Sequence, residues 1–243
     1  MTGGATIHDI LRNASHGGQL PRAPSSLDAQ TLQTLAGVGT LRGIEAEQRL
    51  FDDGDPSDVC GLVLAGLLRH QRGGADGQRQ ILNLILPGEV IDGHGLLRRG
   101  HALEAATPAQ FLAVPRRLFD WLLRDLPKLQ LAAARSRHAQ RDRVRRLAWA
   151  ILAPDPRARV CALLDLASLW APCEPLRLGG HVLTLRLAVS DIGDILALSP
   201  AAVDRAFHGL ELEGLILREA AGRISIPRPL ALRSEAATPD MTT

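Results

Sequence analysis

Arg205, with Asp204 before it and His208 three residues on, is the group of side chains with the clearest chemistry in this 243-residue chain. A guanidinium presents a fixed fork of donors that matches a phosphate, or the O6 and N7 acceptors of guanine. The residues around Arg205 are spaced as a helix. Ser199 can cap it by accepting a backbone N–H, and Pro200 suits the first helical position. Val203, Ala206, Phe207 and Leu210 recur at i, i+3, i+4, i+7 as a buried face. Pro200, Ala201, Asp204, Arg205 and His208 are left on the outer face near the helix start. Upstream, Ser190 opens a shorter apolar repeat, Ile192, Ile195 and Leu196. Two helices joined by a tight turn are predicted. A helix-turn-helix lays the second helix in the DNA major groove; an ordinary helical hairpin has the same spacing.

A two-stranded wing is predicted next. Gly214 can end the second helix with φ > 0. Leu215, Ile216 and Leu217 start a strand, Ala220-Ala221-Gly222 turns, and Ile224 and Ile226 return until Pro227. Arg218 and Arg223 flank that turn, where a phosphate backbone can pass.

Other chemistry finds little support. No phosphate-binding glycine loop, nucleophile elbow or His-Glu metal spacing occurs, so no enzyme is expected. Asp52, Asp53, Asp55 and Asp58 lack the spacing and closing Glu of a calcium loop. Cys60, Cys161 and Cys173 are too few and scattered for a disulfide framework or a zinc site. Cys60 and Cys161 lie in apolar runs. Cys173 falls in a predicted loop, Ala171–Pro175, and the nearby Glu174 disfavours a reactive thiolate. His94 and His101 sit in glycine-rich surroundings without a ligand cluster; no metal is expected, and haem or another small effector is left open.

Composition narrows the class. Apolar residues make up 46% of the chain, enough for real cores, while aromatics are 3%, too few for a base-stacking platform. Net charge is only +2, so any DNA contact must come from a local patch. Lys128 is the one lysine, and arginine carries the remaining positive charge. No apolar run is long enough to span a membrane, and no signal peptide is evident; a cytoplasmic protein is expected.

The positioning elements follow from the texture of the chain. Residues 1–26 are rich in Gly, Ser and Pro and read as a loose terminus, as do 231–243. Leu27, Leu32 and Leu35 suggest a short helix. From Gly43 to Pro115, short apolar runs alternate with turn clusters about every ten residues, the pattern of an antiparallel β-roll over 27–115. Asp76-Gly77 reads as one of its hairpin turns. Residues 116–153 turn helical: a short helix stops before Pro127, and a long one runs from about Leu129 to Leu152. Leu129, Ala133, Ser136, Gln140, Arg143 or Val144, Leu147 and Ile151 follow heptad spacing and mark a dimer seam. The arginines crowding this helix read as a solvated face. Pro154 and Pro156 mark a hinge, and Arg159–Leu169 an amphipathic helix. LRLGGHVLTLRL reads as a short hairpin leading into the helix-turn-helix, within a domain over 154–230.

The order β-roll, long helix, winged helix resembles the CRP/FNR superfamily of bacterial transcription regulators, and the resemblance covers roughly residues 30–230. Arg49-Leu-Phe-Asp-Asp-Gly-Asp55, Val63-Leu-Ala-Gly66, Asp76-Gly77, Ile81-Leu-Asn-Leu84 and Leu86-Pro-Gly-Glu89 match its landmarks in order. Asp191-Ile-Gly-Asp-Ile-Leu-Ala-Leu198 with Val203 and Arg205, and His138-Ala-Gln140, are similar to its FixK-like branch. The resemblance implies an α+β chain: a cyclic-nucleotide-binding-like jelly roll, a dimerisation helix and a winged helix-turn-helix. It places an effector pocket near Gly88, Glu89, Arg98 and Arg99.

The departures count too. Members that bind cyclic AMP carry an Arg-Ser pair after the Pro-Gly-Glu turn; here Arg98-Arg-Gly-His-Ala-Leu-Glu104 has none. No Cys precedes Cys60, so the N-terminal cysteine group of the iron–sulfur members is missing. Where FixK-like proteins place Glu and Ser on the recognition helix, this chain has Ala201 and Asp204. An Asp there repels phosphates unless it accepts from cytosine N4 or orients Arg205.

The expected function is a homodimeric, sequence-specific DNA-binding regulator. Its partners are a palindromic double-stranded operator, a second copy of itself and RNA polymerase, with no membrane. Arg205 reads a base, Asp204 and His208 modulate specificity, and Ser190, Arg218 and Arg223 touch phosphates. Two alternatives stand beside it: a regulator-like interaction module that has lost operator reading, and a small-molecule sensor using the roll.

Overall fold

The computed structural model describes residues 27–51, 59–73, 79–92, 101–177 and 179–236. The Asp76-Gly77 turn, the acidic run 52–58, His94, Arg98, Arg99 and residues 1–26 and 237–243 lie outside them; residues 231–235, expected as loose tail, instead belong to a helix, where Leu232 is buried. The chain divides into two compact units, Met1–Gly77 with Leu84–Arg141 and Gln78–Asn83 with Asp142–Thr243.

Helix α1 (Ala29–Val38) starts where the Asp28 carboxylate accepts the Thr31 N–H at 2.8 Å. Eight strands follow: β1 (Thr40–Ile44), β2 (Arg49–Phe51), β3 (Val59–Ala65), β4 (Leu68–Gly73), β5 (Arg79–Ile85), β6 (Val90–Ile91), β7 (His101–Ala105) and β8 (Ala109–Pro115). They make two four-stranded sheets, ordered β1-β8-β3-β6 and β2-β7-β4-β5. Every pairing in the first is antiparallel, as are the β2–β7 and β4–β7 pairings of the second.

Continuous apolar runs such as CGLVLA arise because the first sheet is covered on both faces. Cys60, Leu62 and Leu64 of β3, with Leu112 and Val114 of β8, pack under helices through Leu35, Phe119, Leu122, Leu129, Ala132 and Ala133. The alternate residues, Val63, Phe111 and Ala113, turn into the roll against Leu68, Ile85, Ile91 and Leu103. Period-two alternation therefore sorts side chains between two cores rather than between core and water.

Helices α2 (Arg116–Asp125) and α3 (Pro127–Leu152) follow. The heptad stripe of α3 is not a partner-facing seam along most of its length. Leu129 and Ala133 are buried in the chain's own core. Ser136 accepts the Val90 N–H at 2.9 Å, and Gln140 donates to the Val90 carbonyl at 3.4 Å. Leu147 and Arg143 are buried as well. The same spacing describes a helix lying on its own sheet and one lying on a partner, so periodicity alone could not say what covers the stripe. Val144 is 41% exposed and Ile151 is half-buried.

In the second unit, α4 (Pro156–Ala167) begins at the Asp155 cap, whose carboxylate accepts the Ala158 N–H at 2.9 Å, with Pro156 in the first turn. It starts earlier than expected. It is also buried on nearly all sides, through Ala158, Val160, Cys161, Leu163, Leu164 and Leu166, rather than amphipathic. The expected Ala171–Pro175 loop contains strand β9 (Cys173–Pro175), which pairs with β10 (His181–Thr184). After α5 (Val189–Leu196) and α6 (Pro200–Leu212) come β11 (Leu217–Arg218), a 3₁₀ turn at Ala220–Gly222, β12 (Arg223–Ile226) and α7 (Pro229–Glu235). The wing is not an isolated pair of strands. β12 pairs with β10 as well as with β11, giving one sheet ordered β11-β12-β10-β9.

Candidate nucleic-acid interface

The turn between α5 and α6 fixes the interface. Ala197 ends α5 in the left-handed region at φ 53°, ψ 48°, a conformation an alanine adopts only under tertiary constraint. The Leu198 N–H then donates to the Gly193 carbonyl at 2.9 Å. A Cβ on Gly193 would stand 2.6 Å from the Leu198 oxygen, so this close crossing requires glycine. Ser199 accepts the Ala202 N–H at 3.3 Å and Pro200 occupies the first turn of α6. Val203, Ala206, Phe207 and Leu210 are buried, as their spacing predicts. Gly214, at φ 63°, releases the chain into the wing.

Ser190, Ser199, Pro200, Ala201, Asp204, Arg205 and His208 are all exposed. Arg205 makes no hydrogen bond or ion pair among the described residues, so its full fork of donors is available. Its neighbour Asp204 does not orient it. Asp204 instead accepts from Arg218 Nη1 at 3.4 Å.

The two wing arginines are engaged rather than open to phosphate. Arg218 Nε and Nη2 donate to the two oxygens of Glu211 at 3.1 and 2.9 Å. Its guanidinium lies over the Phe207 ring, 5.1 Å from the centroid. Arg223 donates to both oxygens of Glu174, at 3.2 and 3.1 Å, and to Glu219 at 3.2 Å. These arginines hold the Glu174, Glu211 and Glu219 carboxyls below the usual range; for Glu219 the Ser225 hydroxyl is the larger cause. Glu211 and Glu174 went unremarked in the sequence. Glu211 lies seven residues after Asp204, on the same helical stripe, but Arg218 reaches it from another element, which no local pattern announces.

Elsewhere, the residues near the expected effector pocket serve the protein's own structure. Glu89 is buried and accepts the Leu86 N–H at 3.1 Å. Gly88, at φ 85°, donates its N–H to the Val63 carbonyl at 2.7 Å. Arg137 pairs with Asp92. His101 Nδ1 and His70 Nε2 share a hydrogen bond at 2.9 Å. Among the described residues no group of three or more His, Cys, Asp or Glu is placed to hold a metal.

The Ser168 and His181 pair resembles a nucleophile and its base, and the proton decides against that. Ser168 Oγ–H donates to the Leu164 carbonyl, so at 2.8 Å the hydroxyl accepts the Nε2–H of His181. Burial lowers the His181 pKa, opposed by the Asp165 charge.

A capped recognition helix and a wing, preceded along the chain by an antiparallel roll and a long helix, are the parts of a winged helix-turn-helix transcription regulator. The comparisons agree. Residues 41–125 match the family described as "Cyclic nucleotide-binding domain". The nitrogen fixation regulation protein FixK of Rhizobium meliloti is 27% identical over 213 residues, covering 87% of this chain and 95% of that one. The transcriptional activator protein FnrL of Cereibacter sphaeroides is 22% identical over 220 residues, covering 88% and 89%. FixK2 from Bradyrhizobium japonicum superposes with a TM-score of 0.71 at 20% identity, covering 83% of this chain and 99% of that one. Over most of its length the chain is similar to FixK-like regulators of the CRP/FNR superfamily, which supports a DNA-binding transcription regulator.

Proposed function

We propose that this regulator works as a homodimer that inserts α6 of each copy into successive major grooves of a palindromic operator, about 34 Å apart. The observation that carries the reading is Arg205. It stands exposed on a helix capped and crossed so as to present it, and none of the described residues occupies its donors. Arg205 reads a guanine. Ser190 and the exposed start of α6 at Ser199, Pro200 and Ala201 meet the backbone and the groove wall. His208 lies one turn on. Operator binding needs neither cyclic AMP nor an iron–sulfur cluster, given the missing Arg-Ser pair and cysteine group. The recruited partner is RNA polymerase, and the compartment is the cytoplasm.

The dimer forms along a stripe of α3 that keeps Val144 and Ile151 of the seam its sequence first suggests and leaves out the buried positions. Ala134, Arg141, Val144, Ala148 and Ile151 share heptad spacing, and all but the half-buried Ile151 are exposed in the single chain. Small and branched apolar residues at all of these positions but Arg141 let a second helix approach closely. Beside Ala134 an open cleft of about 610 Å³, lined by Leu123, Arg124, Gln130 and Arg137, gives the partner's side chains room.

Footprinting on genomic fragments tests the reading. The wild type is expected to protect a palindrome, and Arg205→Ala to flatten sequence preference while leaving non-specific binding largely intact. Failure to protect any fragment at low salt would favour the interaction module instead.

A further inference from the structure

Asp204 is the one carboxylate on the outer face of the first two turns of α6, where a negative charge next to phosphates needs a reason. We infer that Asp204 reads a cytosine, accepting from its N4 amino group in a base pair next to the guanine read by Arg205. The inference rests on the protein being an operator-reading regulator and names one base of that operator.

Three observations support it. Asp204 is 58% exposed and directly precedes Arg205, about 100° around the helix from it, so the two side chains address neighbouring positions of the groove. Its charge is partly offset by Arg218, whose Nη1 approaches one oxygen at 3.4 Å. That contact leaves most of its acceptor capacity unused, because a carboxylate offers about four lone-pair sites. Finally, Arg218 is held away from Asp204's free side by Glu211, which takes the Nε and Nη2 edge of the guanidinium. A carboxylate so placed can only accept.

In the major groove, guanine shows two acceptors and thymine an acceptor and a methyl group, all of which repel or waste a carboxylate. Adenine offers N6–H beside the N7 acceptor, which opposes the second oxygen. Cytosine alone presents its amino donor with no acceptor of its own on that edge.

Selection of bound sites from randomised duplex DNA, with wild type, Asp204→Asn, Asp204→Ala and Arg205→Ala, tests this. The wild type should select a cytosine next to the Arg205-dependent guanine, and replacing it should weaken binding about tenfold or more. Asp204→Asn should change that cytosine to adenine, because a carboxamide pairs with N6 and N7 together. Asp204→Ala should leave the position without preference, with the guanine kept in both variants. If Asp204→Asn and Asp204→Ala select the same base as wild type while Arg205→Ala loses the guanine, this inference falls and the regulator reading stands. If the wild type selects no site, both fall.

Discussion

Asp204 and Arg218 face each other at 3.4 Å across the gap between the recognition helix and the first strand of the wing. The arginine belongs more to Glu211, which it grips through two nitrogens and through its own backbone N–H at 3.1 Å. An exposed cation beside the recognition helix is thereby paired with the protein's own carboxylate. Glu211→Gln should return it. Each phosphate neutralised adds about 0.9 to the magnitude of the slope of log K against log salt. The variant should therefore bind non-specific duplex more tightly at low salt, with a slope steeper by about one. An unchanged slope would mean that Arg218 stays off the backbone.

Sedimentation of two charge variants separates the dimer face from the core of α3. Val144 is 41% exposed in the single chain, so Val144→Glu should fold normally, dissociate the dimer and abolish operator binding. Leu147 is 3% exposed, so Leu147→Glu buries a charge and should cost about 3 kcal/mol or more of stability, seen as a lower Tm. A Val144→Glu protein that remains dimeric would place the contact elsewhere.

Acid should loosen the winged-helix unit through His181. Burial lowers its folded pKa below the ordinary 6.5, against a smaller opposing effect of Asp165. The unfolded chain takes up the proton first. The stability this group contributes is therefore complete above 6.5 and is lost as pH falls through the lowered folded value. Thermal melts should fall more steeply with acid in wild type than in His181→Asn, which keeps a donor for Ser168. Parallel curves would contradict the assignment.

Thiol labelling near neutral pH should modify Cys173 and spare the others. Burial pushes the Cys60 and Cys161 thiols up to about 12, leaving no useful thiolate. Cys173 is half-buried and its pKa is also raised by burial, so its labelling should be slower than that of a small thiol in solution. Mass spectrometry after a timed pulse reads all three sites. Rapid labelling of Cys60 or Cys161 in the native protein would show that their cores open.

Much of the architecture is local and could be read from residue order. Ser199 and Pro200 start a helix whatever surrounds them, because a cap and a fixed φ act within one turn. The spacing of Val203, Ala206, Phe207 and Leu210 names a buried face because a helix repeats every 3.6 residues. The apolar runs from Gly43 to Pro115 announced strands for a similar reason. Ala197 was invisible: its left-handed conformation is imposed by the Leu198–Gly193 crossing, and alanine carries no signal for it.

What the sequence by itself determined is the series of elements and which face of each is apolar. It could not say what covers those faces. Leu129, Ala133, Ser136 and Gln140 kept their heptad spacing but met the chain's own sheet and β6, since hydrophobic burial has no direction and does not distinguish self from partner. The pairing of charges was equally out of reach. Arg218 and Arg223 lie seven or more residues from Glu211, Asp204 and Glu174, and a Coulomb contact depends on distance in space alone. Only the tertiary structure decided that those two arginines are paired with carboxylates, while Arg205 makes no ion pair among the described residues.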